Sequence, residues 1–134
     1  MVIRKRLSAC VALALSFSCV VGAAPTKQDL EAVQMVFDYN ASDDLAYLEA
    51  CGKPALRNQY LQSMHDAGAA YPNRDPKKIR ALIRDIERRA DSRVQLQSSL
   101  WNFLDQKDID DDCKFNVGQA LKHLNTLDDF IFKS

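Results

Sequence analysis

The sequence predicts an all-α protein: a small bundle of four to five helices with one disulfide, preceded by an N-terminal signal peptide. Three observations carry this. Only 4 Gly and 4 Pro punctuate 134 residues that are 47% hydrophobic, 8% aromatic and 27% charged, and outside the N-terminal stretch Val, Ile and Thr are few, which disfavours a sandwich or barrel. From Leu30 onward the apolar residues recur at spacings of three and four, the period of a helix with one buried side. The extreme N-terminus stands apart, with Arg4, Lys5 and Arg6 ahead of an apolar run and no acid before Asp29. The length suits one globular domain and is short for two well-cored ones.

The apolar run covers residues 7–21 and is followed by Gly22, Ala23 and Ala24, the layout of a secretory signal peptide. Cleavage after Ala23 divides the chain into a signal peptide, 1–23, and a single helical domain, 24–134. The run falls short of the roughly 20 apolar residues a bilayer span needs, so the mature form is expected to lack a membrane span. Lipid attachment at Cys10 or Cys19 is the competing reading. No apolar run precedes Cys10, and Phe17 stands where a small residue is wanted before Cys19. Removing three cations leaves 15 Lys and Arg against 18 Asp and Glu, a net charge of −3, which gives no support to a nucleic-acid partner. It also leaves two cysteines, Cys51 and Cys113. In a periplasmic or secreted protein these are expected to pair.

The elements follow in order. Thr26 caps a first helix, with Asp29 three residues on, and Leu30, Val33 and Phe37 form its stripe as far as Tyr39. Asn40, Ala41 and Ser42 are expected to break or bend it, Ser42 then capping a short second helix that buries Leu45 and Leu48 and stops at Gly52. A third helix opens at Pro54, where the missing N–H costs nothing, and buries Leu56, Tyr60, Met64 and Ala67. After an interruption over residues 67–75, Asp75 and Pro76 read as cap and first residue of a fourth helix. Its stripe of Ile79, Leu82, Ile83, Ile86 and Ala90 continues less regularly through Val94, Leu96, Leu100, Trp101 and Leu104. The phase slips near Asp91 and Ser92, so a kink or two helices end to end are expected there. Asp110, Asp111 and Asp112 mark the start of a last helix with Cys113, Val117, Ala120, Leu124, Leu127 and Ile131 on its apolar side, widened by Leu121.

Chemistry is sparse. The acidic run from Asp108 to Asp112 superficially follows the ligand spacing of an EF-hand loop, but Cys113 stands where Gly is required and Gln119 where a bidentate Glu should close the site. Helix capping explains these acids better. His65 and His123 fall in no zinc spacing. Met on an early helix with His on the last resembles the layout by which some bundle cytochromes hold haem, which would name Met35 or Met64 with His123. No nucleophile elbow or phosphate loop is present, and a bridged Cys pair leaves no thiolate. Trp101 and Phe103 are expected in the core. No enzyme activity, cofactor or metal site is therefore expected.

One feature suggests a function. Lys77, Arg80, Arg84 and Arg88 form a row along one side of the fourth helix, and Arg80, Arg84 and Arg88 have no acid four residues before them. A solvated face balanced by Asp85, Glu87 and Asp91 would look similar, with Asp85 and Arg89 spaced for an ion pair. The functional expectation is an exported protein that binds another, acidic protein through this row, such as an inhibitor or immunity-type protein. The alternatives are an envelope-stress chaperone that opens at low pH, or a small-ligand or haem-binding bundle.

Overall fold

A computed structural model describes residues 24–134; the expected signal peptide, with Cys10 and Cys19, lies outside the described residues. Five α-helices follow one another, with no strand among the described residues: α1 (Lys27–Met35), α2 (Ala41–Ala50), α3 (Pro54–Ala70), α4 (Pro76–Trp101) and α5 (Gln106–Lys133). The two long helices, α4 and α5, pack on α2 and α3 rather than on each other. They are therefore diagonal in the bundle, with α2 and α3 between them. One core runs through it, from Val33 and Phe37 through Leu45, Leu48, Tyr60, Met64, Ile83 and Ile86 to Leu124, Leu127 and Phe130.

The caps are the expected ones at two starts. Thr26 Oγ1 accepts from Asp29 N–H while the Asp29 carboxylate accepts from Thr26 N–H, a reciprocal capping box. Asp75 accepts from Lys77 N–H at the head of α4, with Pro76 in the first turn. Gly52, at φ +70°, ends α2. Its N–H bonds Glu49 C=O and the Lys53 N–H reaches Leu48 C=O, the paired closure that requires a left-handed residue at this position.

Three expectations are corrected. The break at residues 40–42 is absent: a π-helical turn, Val36–Asn40, joins α1 to α2, and Ser42 is no cap. Val33, Phe37, Ala41 and Leu45 are all buried at successive steps of four. Each such step drifts by about 40° around an α-helix, and the wider π turn, with its i→i+5 bonds, absorbs the drift and keeps all four on the core. Second, α4 is a single helix through Asp91 and Ser92. The phase slip marks where α4 leaves the core, since Ala90 is its last fully buried residue. Beyond it, Ser98 and Ser99 return hydroxyl bonds to Val94 and Gln95 C=O. Third, α5 begins at Gln106, capped by Asp105, which accepts from Asp108 N–H. Asp110, Asp111 and Asp112 therefore sit inside the helix and do not start it. Leu121, expected to widen the buried stripe, is 42% exposed, whereas Phe130, outside that expected stripe, is buried.

The disulfide Cys51–Cys113 joins the C-cap of α2 to α5, with 5.7 Å between the Cα atoms. Around this end Trp101 tilts against Tyr47 at 6.4 Å and donates from Nε1 to Asp112 (2.9 Å). Arg57 reaches Asp91 at 3.5 Å and, through its buried Nε, lies 3.6 Å from Glu49 Oε2, an ion pair longer than a hydrogen bond.

Two glycines separate packing from propensity. A Cβ on Gly68 would meet Ile79 Cγ2 at 2.4 Å, so α3 and α4 approach here through the missing side chain. We expect Gly68→Ala to destabilise by roughly 1–2 kcal/mol, overpacking outweighing the ~1 kcal/mol helix-propensity gain. Gly118 faces open space in the middle of α5, so Gly118→Ala should stabilise by about 0.5–1 kcal/mol. Urea midpoints that moved in the same direction for both variants would contradict the close approach.

Candidate functional site

The basic row lies on the outer side of α4, where the sequence pattern put it. Ile79, Ile83, Ile86 and Ala90 bury the opposite side, and this periodicity leaves Lys77, Arg80, Arg84 and Arg88 exposed. The four are not equivalent. Arg88 pairs with Asp85, which Arg89 also contacts at 3.2 Å. Arg93, further along, pairs with Asp43 of α2. Among the described residues Lys77, Arg80 and Arg84 have no carboxylate within ion-pair distance. The uncompensated charge is thus confined to the first two turns and a half of α4.

Beside this charge lies a cleft of about 220 Å³ between the end of α3 and the start of α4, lined by His65, Gly68, Ala69, Arg74, Pro76, Ile79 and Arg80. Arg74, absent from the sequence reading, packs its guanidinium 5.1 Å from the Tyr71 ring centre. The signal for it was weak, because it lies in the connection, outside any helical period. The cleft presents two guanidinium groups over an apolar floor made by Ile79 and the bare Gly68, and can receive an anionic side chain.

A second polar cluster is buried. Asp44 of α2, 5% exposed, accepts from Tyr60 Oη and from His123 Nδ1, each at 2.6 Å and on the same oxygen, Oδ2. It ties α2, α3 and α5 together. Burial foremost raises the Asp44 carboxyl above its ordinary value, while the Tyr60 hydroxyl and His123 pull it back. Burial and the adjacent carboxylate push the Tyr60 phenol far up, so it remains a donor. A turn along α3, Ser63 Oγ donates to Asp128 of α5 (2.6 Å). The sequence pattern pairs His123 only with Met35 or Met64. An acid at position 44 between the apolar Ala41, Leu45 and Leu48 was the available sign that the histidine had a buried partner. Of the two methionines that the sequence pairs with His123, Met35 is 57% exposed and Met64 is fully buried in the core.

The acids from Asp108 to Asp112 lie in helical turns and not in a ligand loop. Asp110 accepts from Gln106, Asp111 from Lys107, and Asp112 from Trp101 and Asn116. No group of three or more His, Cys, Asp or Glu side chains among the described residues is placed to hold a metal ion. Phe103, expected in the core, is 89% exposed, and Trp101 is half-buried. No described helix is long and apolar enough to cross a membrane. The class that fold and site define is a disulfide-braced helical bundle with a localised basic face. No family model, curated protein or solved structure matches the chain.

Proposed function

We propose that this protein is exported to the periplasm or beyond and acts by binding an acidic protein surface through the N-terminal half of α4, as an inhibitor or immunity-type protein does. The observation that carries this is the unpaired row Lys77, Arg80 and Arg84 on a chain whose residues from 24 onward sum to −3. Residues 74–93 hold eight Lys and Arg against four Asp and Glu, a local net of +4. A positive patch on a negative molecule steers association toward an acidic partner and away from cationic ones. A regular helix packed on the core through Ile79, Ile83 and Ile86 presents these cations with little backbone ordering left to lose on docking. The mechanism is occlusion: the face covers a partner's acidic site, with the cleft at His65, Arg74 and Arg80 taking one of its carboxylates.

The test is affinity capture from envelope and secreted fractions, using the oxidised protein from residue 24 beside a variant with Arg80→Glu and Arg84→Glu. We expect one stoichiometric partner, lost in the variant, since reversing two charges at an acidic interface costs several kcal/mol. Both substitutions are at exposed positions and should leave folding stability within about 0.5 kcal/mol. Capture of many unfolded clients only at low pH, unaffected by the variant, would instead establish the chaperone alternative.

A further inference from the structure

We propose a second docking surface at the disulfide end of the molecule, independent of the basic face, which takes a cationic amphipathic segment of another protein. Its centre is Leu96, Leu100 and Phe103, which are 61%, 51% and 89% exposed. Single exposed apolar residues are ordinary, whereas a contiguous stripe is not. This one is contiguous. Leu96 and Leu100 are one turn apart on α4, and the bonds from Phe103 N–H to Leu100 C=O and from Leu104 N–H to Trp101 C=O carry the helical path past its end, setting Phe103 one turn beyond Leu100.

The stripe is held in place and is not a frayed terminus. Trp101, between Leu100 and Phe103, is fixed by the Tyr47 ring and by its bond to Asp112, while Cys51–Cys113 clamps α2 to α5 beside it. Leu96 also forms one wall of a cleft of about 150 Å³, whose other walls are Ala46, Tyr47, Gln97 and the Arg93–Asp43 ion pair.

Charge selects the occupant. Residues 94–119, the segment that carries the stripe, hold Asp105, Asp108, Asp110, Asp111 and Asp112 against Lys107 and Lys114, a net of −3, with Asp112 bonded to Trp101 beside Leu100. An apolar centre with an acidic rim is complementary to an apolar face flanked by cations. An anionic lipid surface is repelled by the same rim. A second copy docked stripe to stripe would bring the same acidic segment against itself.

Trp101 is the single tryptophan and reports on the stripe. The oxidised protein is titrated with a lysine–leucine amphipathic helical peptide, with its glutamate–leucine counterpart, and with phosphatidylglycerol vesicles, following Trp101 emission. We expect saturable one-to-one binding of the lysine peptide that weakens as salt is raised. The glutamate peptide and the vesicles should bind at least about tenfold more weakly. The Leu96→Ser, Leu100→Ser double variant should lose about tenfold or more in affinity for the lysine peptide with its thermal midpoint unchanged, because both side chains are exposed in the free protein. The Arg80→Glu, Arg84→Glu variant should bind this peptide undiminished. Equal binding of the two peptides, binding insensitive to the leucine substitutions, or an emission change that follows protein concentration alone would overturn the proposal; the last would mean self-association.

Discussion

Replacing both bridge cysteines, Cys51→Ser with Cys113→Ser, is expected to cost about 2–4 kcal/mol of stability, read as a lowered urea midpoint for unfolding. The bridge closes a loop of 61 intervening residues, and in the chain-entropy account a loop that long restricts the unfolded ensemble strongly. The loss is large against a stability of roughly 5–15 kcal/mol for a domain of this size. Its location gives it a further consequence. The bridge anchors the end of α2 to α5 where α4 has already left the core, so the variant should lose protection first around Tyr47, Trp101 and Cys113, with α3 and the first half of α4 holding longer. A midpoint unchanged under reducing conditions would mean that the core alone fixes this end.

Tyr60→Phe is expected to cost about 1.5–3 kcal/mol at neutral pH, the range for a hydrogen bond to a charged group in a buried setting. The substitution keeps the ring in the core and removes only the hydroxyl that Asp44 accepts from at 2.6 Å. The cost should depend on pH in a defined sense. Asp44 holds its proton more tightly in the folded chain than its ordinary value of 3.8, because burial penalises the carboxylate. Its contribution to stability is therefore full below 3.8 and declines as pH rises through the elevated native value. Removing the Tyr60 donor raises that value further, so the penalty of Tyr60→Phe should shrink on acidification. In Asp44→Asn the decline should disappear. Asp29 acts with the opposite sign: Thr26 N–H foremost, with Lys133, holds its carboxyl below the ordinary range, so its contribution is lost as pH falls. The comparison must then be between variant and unsubstituted protein at each pH. A Tyr60→Phe penalty constant from pH 7 to pH 3 would contradict the assignment.

Much of this architecture is legible in the residues. Thr26 and Asp75 announce helix starts because a short side-chain oxygen followed by Asp29, or by Pro76, has few other local uses. Gly52 announces a stop because the turn after α2 needs a left-handed residue. The α5 stripe from Ala120 to Ile131 emerges because a long helix with one covered side must repeat at three and four. The Cys51–Cys113 pairing follows once the N-terminal cysteines are set aside.

What escaped the reading has physical causes. The π turn at Val36–Asn40 is a response to four core residues at equal steps of four, and an ordinary turn between two helices shows the same letters. The continuity of α4 was hidden because apolar periodicity records burial: where α4 leaves the bundle the pattern decays although the backbone bonds continue. Phe103 was misplaced for the same reason, since an aromatic ring beside Trp101 looks like core until the neighbours are known to be absent. Asp110, Asp111 and Asp112 resemble the first turn of α5, while its cap, Asp105, lies five residues upstream of Asp110. The Asp44–Tyr60–His123 cluster joins residues 16 and 79 positions apart, a separation no local pattern spans.

The most direct measurement is hydrogen exchange on the partner complex recovered by capture, read peptide by peptide against the free protein. A basic face that docks by occlusion predicts new protection confined to residues 74–88, at the end of the α3–α4 connection and along the first half of α4, and no complex to recover with the Arg80→Glu, Arg84→Glu chain. Protection concentrated on α5 or α1, with residues 74–88 exchanging as in the free protein, would contradict it.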